Sequence, residues 1–174
     1  MNSWKFLIPL LLTLPTVSVA QEVAVKDLRK AGSKSTKAVV LCAREGVPGH
    51  AFVVLGKEDE KKLMSTVRAF GFYPEKDTKP LFGTVPGTLA DEFVRGKGTK
   101  NDHRLILKVD DEQFEAVEKL RADWAKRKPD YKLYERNCIT FTSEAAKLLG
   151  LIVPAGDPTD LPPTFLKGLI DKNK

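Results

Sequence analysis

Two continuous apolar runs, AVVLCAR at 38–44 and HAFVVLG at 50–56, constrain this chain more than any other feature. Both are rich in β-branched and aromatic residues and neither alternates with polar ones, the pattern of strands buried on both faces. The link between them, EGVPG, carries a Pro-Gly turn signal, so the pair reads as a hairpin. RLILKV at 104–109 supplies another strand. In MSTVRAFGFYP, an extended chain puts Val67, Ala69 and Gly71 on one face and Arg68, Phe70 and Phe72 on the other.

Helical spacing marks two further segments. Asp110 stands three residues before Gln113, a capping-box pattern, and Phe114, Val117, Leu120 or Arg121, and Trp124 follow on one stripe. Cations and then proline in AKRKPD end that helix. Asn137 is a good N-cap for the second, in which Phe141, Ala145 and Leu148 share a face. Gly150 and Leu151 read as its left-handed C′ residue and apolar C″ partner, and Pro154 blocks continuation. The expected fold is α+β, one domain with a central antiparallel sheet flanked by helices, spanning 38–154. A polar arm at 21–37, with a weak apolar period at Val23, Val25 and Leu28, precedes it. A proline-rich tail at 155–174 follows, ending in a short helix around Phe165 to Ile170. The stretch 74–101 reads as a long loop in which TLADEFV forms a short helix.

Residues 1–20 have the single lysine, apolar run and small-x-small ending of a cleaved secretory signal peptide. Cleavage after Ala20 leaves about 154 residues, the size of one domain, at a net charge of +5 because Lys5 is the only charged residue removed. The expectation is a periplasmic or secreted protein with no integral membrane span. Its basic residues are dispersed among acidic ones, with no basic stripe carrying aromatics, which argues against nucleic acid as a partner. An anionic polymer surface is compatible with the charge. No C-x-x-C, H-x-x-x-H or G-x-G-x-x-G spacing is present, so no metal or other cofactor is expected.

If Asn137 is the cap, Cys138 is the first residue of a helix. Unpartnered N–H groups and the helix dipole there stabilise a thiolate and lower its pKa from the free value of about 8.5. The Cys138 N–H and a neighbouring donor could also hold an oxyanion. Only His50 and His103 are available as bases. Each opens a strand, and His50 is preferred because Gly49 beside it permits close backbone approach. Asn137 and Gly49 are the candidate substrate-side positions. A third group should orient the imidazole, with His103, Asp102, Asn101, Ser65 and Thr66 as candidates. Cys42 lies mid-strand. A Cys42–Cys138 disulfide in a non-catalytic binding or inhibitor protein is the reading from a different class. Phe70 and Phe72 read as core packing rather than cleft lining.

The order of these parts resembles the circularly permuted papain-like superfamily, in which the histidine strand precedes the cysteine helix. The matching residues are Gly49, His50, Ala51 and Phe52, then Tyr131, Leu133, Asn137, Cys138, Phe141, Gly150, Leu151 and Pro154. The pattern is similar to that of PPPDE-type peptidases, lecithin:retinol acyltransferase-like proteins and bacterial permuted amidases. That resemblance implies a permuted papain-like fold, Cys138 as nucleophile and His50 as general base. It further implies a thioester acyl-enzyme formed on an amide or ester carbonyl. The expected substrate is a peptide or cell-wall-type amide. A lipid-directed acyltransferase or phospholipase is the variant that would use the same dyad.

Overall fold

The computed structural model describes residues 22–46, 49–61, 64–75, 83–95, 103–155 and 160–174; the signal-peptide expectation for 1–20 lies outside them. The hairpin of the two apolar runs is β2 (Lys37–Arg44) and β3 (His50–Glu58), in register from Lys37↔Lys57 to Arg44↔His50. Around it are β1 (Glu22–Asp27), β4 (Met64–Pro74), β5 (Val85–Asp91), β6 (His103–Lys108) and the short β7 (Asp130–Tyr131). Together they form a seven-stranded sheet in the order β1-β6-β2-β3-β4-β5-β7, with helices α1 (Asp111–Arg127), α2 (Cys138–Leu148) and α3 (Pro162–Lys172). The α+β class is as expected, and the continuous apolar runs occupy the middle of the sheet.

The sheet is mixed rather than antiparallel. β6 inserts between β1 and β2, antiparallel to β2 and parallel to β1. Within 21–37, Glu22–Asp27 is therefore an edge strand followed by a link, and not an arm. Its link is tied to the start of α1, where the Asp110 carboxylate accepts from the Lys30 N–H at 2.8 Å and from the Ser33 hydroxyl. Gln113 completes that helix end by accepting from the Asp110 N–H at 2.9 Å.

TLADEFV is likewise no helix: Val85–Asp91 is β5, paired with β4 from Phe70↔Asp91 to Pro74↔Gly87. Strand pairing against an apolar neighbour overrides the local helical preference, since propensity is a weak prior beside tertiary contacts. The C-terminal segment belongs to the core, with Phe165, Leu166, Leu169 and Ile170 of α3 all buried. On α2 the inward stripe runs through Phe141, Ala145, Ala146 and Leu149, whereas Leu148 is 48% exposed. Gly150, at φ 76°, closes that helix as expected, with the Leu151 N–H donating to the Ala146 carbonyl at 3.0 Å.

The buried residues of all three helices join one cluster with Val39, Leu41, Val53, Leu55, Phe70 and Phe72. At its centre the Trp124 ring meets Phe72 and Phe141 edge-on, at 4.9 and 5.1 Å between centroids. Aromatic pairs of this kind add about 0.5–1.5 kcal/mol each beyond their area. The other face carries a smaller cluster, Val40, Cys42, Phe52, Val54 and Ala69 with Ile106 against it.

Candidate active site

Asn137 fixes the start of α2. Its Oδ1 accepts from the N–H groups of Ile139 (2.8 Å) and Thr140 (3.2 Å), and its Nδ2 donates to the Leu133 carbonyl at 2.6 Å. Thr140 reciprocates by accepting from the Asn137 N–H at 3.1 Å. The Asn137 side chain is thus spent on the cap, and what it gives the site is the placement of Cys138 at the first helical position.

On the sheet, β3 and β4 pair from Glu58↔Met64 to Val53↔Phe70, where their register ends. Beyond that point the Ala51 N–H turns to the Cys138 sulfur, as does the Ile139 N–H, and the His50 side chain hydrogen-bonds it. Burial alone would push the Cys138 thiol up. The hydrogen bond and charge of His50 and the two amides outweigh it and hold the thiol below its ordinary value. For His50 burial acts downward, but Cys138 and then Glu92 raise its pKa on balance. Those directions favour a thiolate beside an imidazolium.

Glu92 is the residue that sequence reasoning missed. It follows the end of β5, with its N–H donating to the Ala69 carbonyl at 2.9 Å, and it is fully buried at 0% exposure. Glu92 Oε1 lies 3.3 Å from His50 Nε2 and accepts from the Tyr73 hydroxyl at 2.8 Å. Its Oε2 accepts from Arg44 Nη2 at 2.5 Å. Burial would raise its pKa, yet His50 and Arg44 lower it on balance, so the carboxylate stays charged. An imidazole has two ring nitrogens, and with Nε2 facing Glu92 the other is left for the sulfur.

Packing holds this series in place. The His50 ring stacks on Tyr73 at 4.0 Å, and Arg44 lies over the Phe52 ring at 4.2 Å. Arg95 covers Tyr73, also at 4.0 Å. Burial, followed by the charge of Glu92, pushes the Tyr73 phenol up, so it remains a neutral donor. A Cβ on Gly71 would stand 2.3 Å from His50 Nε2 and 2.7 Å from Glu92 Oε1. A strand-interior glycine often marks such a close approach, and Gly71 in AFGFYP was the available signal for this part of the site.

The other candidates fall elsewhere. His103 lies opposite Glu22 and Ala43, its Nε2 3.8 Å from Glu45 and its buried Nδ1 without a partner. Among the described residues no hydrogen bond or ion pair joins it to Cys138 or His50. Alternation explains this, because His103 shares a face with Leu105 and Leu107 of the helix-side core, whereas His50 shares one with Phe52. Ser65 and Thr66 pair with Lys57 and Gly56, at the far end of β3 from His50. Asn101 and Asp102 lie outside the described residues. Gly49, at φ 79°, closes the hairpin where a Cβ would stand 2.8 Å from the Arg44 carbonyl, so its role is to deliver His50. Cys42 and Cys138 are both free thiols, and burial drives the Cys42 thiol far up. Among the described residues no group of three or more His, Cys, Asp or Glu could hold a metal ion, and no helix is long and apolar enough to cross a membrane.

Fold and site together define an α+β domain that sets a thiol, an imidazole and a buried carboxylate in series at the open end of a central strand. No protein-family model, curated protein or solved structure matches the chain.

Proposed function

We propose that this protein is a thiol-dependent hydrolase of amide bonds, of permuted papain-like type, working through an acyl-enzyme on Cys138. The observation that carries the reading is His50 standing between the Cys138 sulfur and the fully buried Glu92 carboxylate. The thiolate attacks the carbonyl carbon, and the oxyanion that forms is met by the Cys138 N–H, which has no partner within the helix. His50 gives its proton to the departing amine, leaving a thioester. It then takes a proton from water, whose oxygen displaces the sulfur; the acid leaves and the thiolate returns. Glu92 holds the ring orientation and the charge on His50 throughout, the part a carboxylate plays beside other catalytic imidazoles. The signal-peptide pattern of residues 1–20 supports a substrate, a peptide or wall-type amide, in the cell envelope or outside it.

The test is acylation itself. The mature protein is incubated with activated acyl donors such as p-nitrophenyl esters, quenched, and its intact mass measured. The expected result is one acyl group on Cys138, hydrolysed with time, and lost in both Cys138→Ala and His50→Ala. Failure of every donor to acylate Cys138, or acylation that His50→Ala leaves unchanged, would remove the proposal.

A further inference from the structure

The sheet face that carries His50 also carries two arginines. In register, Arg104 of β6 stands opposite Cys42 of β2, Cys42 opposite Phe52, and Arg44 opposite His50. Directly paired residues of antiparallel strands project to the same side, so these groups share one surface. It is the side with the smaller apolar cluster, to which no helix residue contributes. Burial holds the Cys42 sulfur protonated there, and Arg104, Arg44 and Glu92 all act on it electrostatically.

The two guanidinium groups are not equally satisfied. Glu92 already serves His50, Tyr73 and Arg44. Arg104 Nε is buried and has no hydrogen-bond partner, and among the described residues Arg104 makes no ion pair. A buried donor without an acceptor is costly, and more so on a charged group. An arginine Nε and one Nη form a planar fork that donates two parallel bonds to a carboxylate or phosphate, and the Nε arm of that fork is unmet here. Strand spacing puts the Arg104 Cα about 12 Å from that of His50, within reach of a long side chain and a short ligand.

We propose that Arg104, supported by Arg44, is a subsite for an oxyanion on the substrate, a carboxylate or phosphate a few bonds from the carbonyl that Cys138 attacks. The subsite rests on the hydrolase reading for its place in catalysis, though not for its ability to bind. It narrows the substrate to an acidic amide, such as a peptide bearing a free carboxylate.

The experiment uses Cys138→Ala protein, which cannot acylate, and follows its thermal midpoint against glutarate or inorganic phosphate at constant ionic strength. A saturable rise is expected with at least one of the two, and whichever saturates at lower concentration identifies the anion. Adding Arg104→Gln should raise the half-saturating concentration by roughly tenfold or more, and Arg104→Lys, which keeps the charge but not the fork, should fall between. Saturation unchanged by Arg104→Gln, or no saturable rise with either anion, overturns the subsite. In the unsubstituted protein the same anion should slow iodoacetamide at Cys138; a midpoint shift without that protection refutes its assignment to the substrate path. Because binding is read in a protein without the thiol, its failure is distinct from failure of acylation.

Discussion

His50 Nε2 and Glu92 Oε1 lie 3.3 Å apart although 42 residues separate them in the chain. The contact exists because β4 passes between their strands with glycine at position 71, so the ring and the carboxylate meet over a backbone that carries no side chain. A carboxylate at 0% exposure is tolerated only if paired and hydrogen-bonded, and here an arginine, a phenol and an imidazole supply the pairing. The same pairing keeps a proton on His50 and through it an electron pair on Cys138.

The two cysteines should therefore separate cleanly on alkylation. A free thiol is only about 1% ionised at pH 6.5, and Cys42 is held far above even the free value by burial. Cys138 should react with iodoacetamide at pH 6.5 while Cys42 stays untouched until the protein unfolds. His50→Ala should slow Cys138 by roughly tenfold or more at that pH and move its rate-against-pH curve upward, read by peptide mass spectrometry. Equal rates with and without His50 would contradict the pairing.

Glu92→Gln should act on stability and on its pH dependence together. Removing one member of a buried charge network leaves Arg44 and His50 unbalanced and typically costs about 3–5 kcal/mol. The Glu92 carboxyl sits below its ordinary value. Its contribution is therefore full above the ordinary carboxylate pKa of about 4.3 and is lost as pH falls through the lower folded value. His50 sits above its ordinary value, so its contribution is full below about pH 6.5 and lost as pH rises through the raised value. Urea unfolding midpoints should thus fall at both ends for the parent protein. In Glu92→Gln the acid limb should flatten and the alkaline limb move to lower pH. A variant whose midpoints follow the parent's slope below pH 4.5 would contradict this assignment.

Gly71 and Gly87 offer a matched pair of alanine substitutions. At Gly71 the added methyl meets His50 Nε2 at 2.3 Å and Glu92 Oε1 at 2.7 Å; at Gly87 it meets Phe72 Cζ and the Pro129 carbonyl, both at 2.3 Å. Overpacking costs typically about 1–3 kcal/mol at either place. Gly71→Ala should abolish the low-pH reactivity of Cys138 in the folded protein, because His50 must move. Gly87→Ala should lower the unfolding midpoint and leave the reactivity of the molecules that remain folded. Similar loss of reactivity in both would mean that general loosening, and not His50 placement, is being measured.

What the chain disclosed beforehand followed local rules. The runs at 38–44 and 50–56, the cap at Asn137 and the stop at Gly150 are set by neighbours in sequence, and periodicity and capping chemistry identified them. So, too, was the pairing of Cys138 with His50 as candidates, since each stood at an element end with a glycine or an N-cap beside it. Glu92 was hidden because TLADEFV has a helical composition, and only its pairing with β4 makes it a strand that ends at the site. His103 opens a strand as His50 does, and only the glycine beside His50 sets the two apart locally. Which face each takes depends on strand order and register, and no local signal carries that. The pairing of the edge strand at 22–27 and the burial of the C-terminal helix, whose existence the sequence does signal, escape local reading for the same reason: their partners lie far away in sequence.

Asn137 can be tested by two substitutions that separate its roles. Asn137→Ala removes the acceptor of the Ile139 and Thr140 amides together with the donor to the Leu133 carbonyl. Loss of a cap of this kind costs about 0.5–2 kcal/mol, and the first turn of α2 would no longer hold Cys138 in line with Ala51. Asn137→Asp keeps the acceptor and suits the positive end of the helix, so helix capping should largely survive. It also places a full negative charge one residue from the sulfur, which opposes the thiolate that His50 and the amides favour. The expected outcome is a lower unfolding midpoint for Asn137→Ala. Asn137→Asp should keep a midpoint closer to the parent, with its Cys138 alkylation curve displaced to higher pH. If the aspartate variant alkylates like the parent at pH 6.5, the field at the start of α2 is too weak to govern this thiol, and the hydrogen bond from His50 alone would have to account for its ionisation.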